Sequence, residues 1–329
     1  MSDNSSLLCD QDTERGHIGI VFCALYLVAT SILSIVGNLI VLMAINNSTR
    51  LREQPSSVFV ANLSICDLLN AVLVIIPTTV FIFTDVLTVP NSFCNIQCAL
   101  NYVFIIVSML TLGMIAVERC VSVSVPFKHM DIMRNRTVML MTTYTWVQGV
   151  AFGAVPIICS WVMYDYWEAV CAITWDDHAS SGGVEYVVTA FILCFAIPAV
   201  LMVVCYGKIL AIVKGTDTHR NRLQQKRTED MRIIKSILAV VIVFFGCMTP
   251  FCITKLIKIF FSTCAIPPWV NLFSSLLQFT SSATNPLIYG IFREDFRHAV
   301  MKTFWKVYST LPCRTDEFVR PVTQPSSFI

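Results

Sequence analysis

Seven stretches of this chain carry apolar side chains almost without a break, at 18–45, 57–84, 92–117, 139–161, 186–212, 232–260 and 270–292. Each matches or exceeds the ~20 residues an α-helix needs to cross the hydrocarbon core of a bilayer. None shows the strict two-residue alternation of a barrel strand, and a helix satisfies its own backbone hydrogen bonds where there is no water to do so. The pattern predicts an all-α membrane protein built as a single seven-helix bundle over 18–292.

Composition points the same way. Of 329 residues, 56% are hydrophobic and 13% charged, and the mean hydropathy is +0.70; a soluble domain carries about 25% charged residues. The net charge of +2 averages over two unlike faces. Connections after the first, third and fifth runs hold Arg50, Arg52, Lys128, Arg134, Arg136, Lys208, Lys214, Arg220, Arg222, Lys226 and Arg227, whereas 85–93 and 162–185 hold no Lys or Arg. Basic loops stay on the cytoplasmic side, so the amino terminus (1–17) is expected outside and the carboxyl terminus inside, in the plasma membrane. No nucleic-acid partner is expected.

The first seventeen residues lack the basic and apolar regions of a cleaved signal peptide, so the first helix is expected to be its own insertion signal. Asn4-Ser5-Ser6 is an outward-facing glycosylation sequon, while those at Asn46, Asn47, Asn62 and Asn135 fall in the membrane or inside. Most of the fourteen cysteines lie in apolar runs, where a free thiol behaves as a small hydrophobe. On the outer side, a bridge from Cys94 to Cys171 would pin the long loop 162–185 over the bundle mouth, and Cys9 with Cys264 is a second pairing; free thiols are the alternative for both.

Polar residues at membrane depth require a reason. Asn38, Asp67, Ser108, Ser281, Ser282 and Asn285 stand near mid-bilayer, and an Asp there needs hydrogen bonds, a proton or a cation. A sodium ion on Asp67, Ser108, Ser281, Ser282 and Asn285 and a hydrogen-bonded helix clamp both satisfy that need; no other cofactor is required. Glu118-Arg119 ends the third apolar run and is a candidate functional pair.

These residues carry a resemblance. From about 18 to 308 the chain resembles a rhodopsin-like (class A) G-protein-coupled receptor, through Gly37-Asn38, Asn62-Leu63-Ser64-Ile65-Cys66-Asp67, Glu118-Arg119-Cys120, Trp146, Pro198 with Tyr206, Phe244 with Pro250, and Asn285-Pro286-Leu287-Ile288-Tyr289. The resemblance implies a membrane receptor, not an enzyme, that passes an extracellular signal to a heterotrimeric G protein, with arrestin and membrane lipid as further partners. It implies that Arg119 pairs at rest with Glu118 and with Asp230 on the sixth helix, that Pro250 is the hinge, and that Phe127 anchors the G protein. Cys120 stands where the family has Tyr, Met248 where most members have Trp, and Met109 where a branched residue is usual. Flexible Met at the switch implies appreciable signalling without ligand, as in an orphan receptor.

Ligand-pocket candidates in the outer half are Asn101, Tyr102, Ile105, Phe191, Cys194, Phe251, Cys252, Lys255, Ser275 and Phe279. Asn101 resembles the place of the amine-binding Asp and Phe279 that of the retinal-binding Lys, which disfavours an amine or retinal. An apolar small molecule or lipid is expected, with a peptide as the alternative. Lys255 either meets an acidic headgroup or snorkels to the interface, and the latter is expected. Asp165, Glu168, Asp176 and Asp177 among aromatic residues read as a solvated cap or a lid that steers a basic peptide. Beyond the bundle, Phe292, Phe296, Val300 and Phe304 predict an amphipathic helix over 293–308, followed by a cytoplasmic tail at 309–329 with Cys313 as a palmitoylation candidate. A transporter is the rival class, but no internal repeat is visible and Asp67 is the single obvious midplane acid.

Overall fold

The computed structural model describes residues 15–173, 182–215, 224–261, 266–294 and 296–302, without the side chains of 214–215 and 224–232. Seven long helices form it: α1 His17–Asn47, α2 Pro55–Phe83, α3 Asn91–Ser124, α4 Asn135–Ile158, α5 Gly183–Val213, α6 Gln224–Phe260 and α7 Pro268–Phe292. Between α4 and α5 lies a hairpin of two antiparallel strands, β1 Val162–Asp165 and β2 Val170–Ile173. Residues 294 and 296–302 are again helical, where an eighth helix is expected.

Six of the seven helices are apolar enough to cross a bilayer by length and composition alone. Helix α7 differs because its buried face is polar: Asn271, Ser274, Ser275, Gln278, Ser281, Ser282 and Asn285 all point inward. The bundle is accordingly apolar outside, with Ile18, Phe22, Val203 and Ile291 more than half exposed, and part of its polarity is inside. That inversion is what lipid as the solvent selects.

Two of the prolines are accommodated by local widening of the helix. A π-turn at Ala71–Ile75 precedes Pro77 in α2, and another at Ile192–Ala196 precedes Pro198 in α5. A proline has no N–H and clashes with the carbonyl four residues back, and a π-turn moves that carbonyl aside. Helices α3 and α4 approach most closely at Gly149 and Gly153, where a Cβ would stand 2.8 Å from Val107 and 2.6 Å from Val103. Small residues one turn apart let two backbones meet in lipid.

Helix α3 runs on to Ser124, past the expected end at 117, so Glu118 and Arg119 lie within it rather than at its terminus. The acidic loop is the other correction: residues 162–173 form a hairpin instead of a solvated cap. Cys94 bridges Cys171 with the Cα atoms 5.1 Å apart, which fixes β2 over the outer end of α3. Asn4, Cys9, Cys264, Phe304 and Cys313 lie outside the described residues.

Candidate functional site

At the inner end, Glu118 is wholly buried and accepts two hydrogen bonds from the guanidinium beside it, from Arg119 Nε at 2.5 Å and Nη2 at 2.9 Å. His129 Nε2 lies 2.9 Å from Glu118 Oε1. Two partners on one buried carboxylate explain how α3 carries these ions through its last turns: each would be costly alone, and together they are compensated. The expected pairing of Arg119 with Asp230 rests on a side chain outside the described ones. His129 escaped the sequence reading because it lies eleven residues beyond Glu118, past the turn Pro126–Lys128. On that turn Phe127 is 99% exposed.

Above this pair sit Tyr206 and Tyr289, both buried, in one apolar cluster with Met109, Phe244 and Met248. Tyr289 packs on Phe296, ring centres 5.7 Å apart, and Arg293 covers the other ring at 4.4 Å. Phe296 is thus 2% exposed and tucked under the bundle, while Phe292 and Met301 are exposed. The aromatic stripe expected to face lipid is divided between bundle and surroundings. Pro250 and Pro286 both lie inside unbroken helices.

At mid-depth, Asn285 Nδ2 donates to Asp67 Oδ2 at 2.8 Å. Asn38 donates to Ser34 O at 2.9 Å and Ser282 O at 3.1 Å, and Asn70 donates to Ser282 Oγ at 3.1 Å. The group ties α1, α2 and α7 together. Two of the five residues expected around a sodium ion are directed elsewhere: Ser108 donates to Cys66 Sγ, and Ser281 donates to Gln278 O in its own helix. Asp67, Ser282 and Asn285 are left as the residues a cation would contact, and here Asn285 presents its amide nitrogen to Asp67 while Ser282 Oγ accepts from Asn70.

The outer half holds a cavity of about 110 Å³ between α3, α5 and α6. Of the expected pocket residues, Tyr102, Ile105, Phe191, Cys194, Phe251, Cys252 and Lys255 line it, and its floor is made by Met109, Phe244 and Met248. Asn101, Ser275 and Phe279 do not. Asn101 accepts from Gln278 Nε2 at 3.0 Å, and Phe279 packs into the cluster of α1, α2 and α3. Helix α7 packs chiefly on α6 and α1 and bonds to Asp67 and Asn101 of α2 and α3, and the cavity lies on the other side, against α5 and α6. Tyr186 and Ile173 also line the cavity and were not anticipated.

The cavity's outer end meets a cluster of charge through Lys255. Lys255 is 6% exposed, contrary to the expected snorkelling, and its ammonium donates to both Glu168 oxygens at 2.6 and 2.5 Å. Lys258 donates to Glu168 Oε1 at 2.5 Å and to Asp165 Oδ2 at 2.8 Å. Burial alone would raise the Glu168 carboxyl, but the two ammonium groups and the bonds they donate hold it down at about 2. On the far side of the hairpin, Tyr166 donates to Asp85 at 2.7 Å, and the Arg15 guanidinium lies 3.9 Å from the Tyr166 ring centre. The lid is therefore held to α2, α3 and α6, and its two described acids, Asp165 and Glu168, are engaged by this chain's own cations.

Comparison with known proteins places this arrangement. The family model described as 7 transmembrane receptor (rhodopsin family) matches residues 37–289. The Gq-coupled rhodopsin of Mizuhopecten yessoensis is 28% identical over 302 residues, which cover 88% of this chain and only 60% of that protein. G-protein coupled receptor 26 of Rattus norvegicus is 24% identical over 86% of this chain and 90% of its own, and neuropeptide receptor 15 of Caenorhabditis elegans is 24% identical over 85% and 88%. Squid rhodopsin superposes with a TM-score of 0.76 over 91% of this chain and 88% of its own, at 22% identity. With the motifs in order on seven helices and the family model covering most of the chain, this protein belongs to the rhodopsin family of seven-transmembrane, G-protein-coupled receptors.

Proposed function

We propose that this receptor lies in the plasma membrane with its amino terminus outside, binds an apolar small molecule or lipid between α3, α5 and α6, and passes that event to a heterotrimeric G protein. One observation carries the reading: the apolar cavity runs from Ile173 of the hairpin lid down to Met109, Phe244 and Met248, which belong to the same buried cluster as Tyr206 and Tyr289. A ligand in that cavity touches the switch directly and shifts the population between two packings of α6 against α3. The inner pair then releases Arg119 toward the partner, with Phe127 as the exposed apolar anchor.

Retinal is not supported as the ligand, since a Schiff base needs a lysine on α7 and Pro268–Phe292 contains none. A basic peptide is less well supported than an apolar ligand, because Asp165 and Glu168 are already paired with Lys255 and Lys258. Two Met residues at the cavity floor favour signalling without ligand, as unbranched thioethers repack at little cost. A sodium ion on Asp67, Ser282 and Asn285 would steady the resting packing, and no step of the signal is routed through it.

The test is nucleotide exchange on a panel of purified heterotrimeric G proteins by the receptor in lipid discs, with no ligand added. Exchange above that of empty discs on at least one G protein is expected. Silence on every one of them, from folded receptor, would end both the coupling and the basal-activity readings.

A further inference from the structure

The cavity and the ion cluster share one side chain. Lys255 lines the cavity, with its ammonium 4.9 Å from the Phe251 ring centre, and the same ammonium holds Glu168. Lys258, one turn along α6, holds the identical carboxylate. Adjoining the outer end of an otherwise apolar cavity, with Lys255 as the shared member, is thus a two-ammonium seat for one carboxylate, and the lid fills it from within the chain. Four charges cancel: Lys255 and Lys258 against Glu168 and Asp165.

To reach that seat a ligand has to displace Glu168, and the turn that carries it is the part free to move, because the Cys94–Cys171 bridge fixes β2 to α3. Next to Glu168, Ala169 is held at φ 57°, a conformation that residues other than glycine avoid, so opening the turn also relieves strain. Opening nonetheless leaves two buried ammonium groups facing Asp165 alone, and removing one partner of a buried ion pair is the costly change. The headgroup of the arriving molecule decides whether that cost persists. A carboxylate restores the pairing, an alcohol restores only a hydrogen bond, and an ammonium worsens the imbalance.

The geometry points to an amphiphile with a single carboxylate head and a short apolar tail as the ligand class, the head replacing Glu168 on Lys255 and Lys258 and the tail running toward Met109 and Met248. This rests on the cavity being the ligand site, as proposed above. A volume of about 110 Å³ leaves room for one unbranched tail. Glu168 is then the resting occupant of the receptor's own headgroup site.

Octanoate, octanol and octylammonium share one tail and differ in the head. Each is titrated into full-length receptor in lipid discs, with thermal unfolding and G-protein nucleotide exchange as readouts, for wild type, Glu168→Gln and Lys255→Gln. Uptake into lipid is common to all variants, so differences between variants report the site. Octanoate is expected to stabilise wild type more than octanol, and octylammonium to stabilise it least. In Glu168→Gln, where the internal competitor has lost its charge, the half-maximal octanoate concentration should fall about tenfold or more. In Lys255→Gln the advantage of octanoate over octanol should vanish, and if that variant does not fold, Lys258→Gln carries the same comparison. Octanoate and octanol acting alike on every variant would overturn the carboxylate assignment and leave an apolar ligand standing. No effect of any probe on any variant would overturn the cavity as the ligand site as well.

Discussion

The ionic contacts at the two ends of this bundle are of opposite kinds. Outside, the closing contacts join distant parts of the chain: Lys255 and Lys258 on α6 reach Glu168 across 87 and 90 residues, and a disulfide spans 77 more. Inside, the buried acid is paired with its immediate neighbour, Glu118 with Arg119, and with His129 in the next turn. A long-range ion cluster resists separation of the elements it joins, whereas a local pair resists nothing but its own release. The outer end is therefore built to stay closed until a ligand substitutes for its internal contact, whereas the contacts of Glu118 with Arg119 and His129 are local to α3 and the turn after it.

Truncating the outer acid should give the largest effect. Glu168 is 1% exposed, so Glu168→Ala leaves two buried ammonium groups against one carboxylate at a cost of about 3–5 kcal/mol. Thermal unfolding should show a fall of several degrees, and the amides of β1 and β2 should lose hydrogen-exchange protection while those of α4 keep theirs. Unchanged protection in the hairpin would show that the cluster does not hold the lid.

Acid should reproduce part of that effect without a mutation. Glu168 ionises at about 2 in the folded chain against an ordinary 4.5, so its pairing contributes stability that is complete above the ordinary value and disappears as pH falls through about 2. Hairpin protection should then be flat through neutral pH and decline only in that acid window, and Glu168→Gln should remove the acid limb. A loss already complete near neutrality would contradict a Glu168 held by two cations.

The bundle was legible in the sequence for a plain reason: a lipid-crossing helix has to be long and apolar, and six of the seven helices are so by composition alone. Even α7, with its serines and asparagines, could be read because its remaining face is apolar. The site was legible only where one helix carries it. Seven expected residues line the cavity because their helices and depths were inferable, but Asn101, Ser275 and Phe279 do not, since the rotation of α7 depends on what α1 to α3 require of it. The lid could not be read: strands of four residues leave little periodic signal, and the Tyr and Trp residues in and beside them resemble a membrane-edge belt as readily as a sheet. Nor does any local rule pair Glu168 with Lys255, because a contact over that separation exists only once the fold does.

The inner pair should respond more mildly. Glu118→Gln keeps the side chain's size and one acceptor but removes the charge that Arg119 and His129 share, a loss of about 1.5–3 kcal/mol for hydrogen bonds to a charged group. If the resting packing depends on that pair, basal nucleotide exchange should rise by roughly an order of magnitude. His129→Gln, which leaves Arg119 in place, should raise it less. Equal effects from the two would mean that His129 rather than Arg119 restrains the inner end.

Phe127 should give the smallest change in stability and sharpens the contrast between the ends. A side chain 99% exposed loses almost no contact on truncation, so Phe127→Ala should alter unfolding by no more than about 0.5 kcal/mol. An exposed aromatic ring nevertheless becomes a strong contact when a partner buries it, since truncating such an anchor typically costs about 2 kcal/mol or more of binding. Thermal unfolding of Phe127→Ala should thus match wild type, octanoate should act on it at the same concentration, and the amount of G protein needed for half-maximal exchange should rise about tenfold or more. A variant that unfolds like wild type and also couples like wild type would remove Phe127 from the partner surface, leaving the inner end with a switch but no identified anchor.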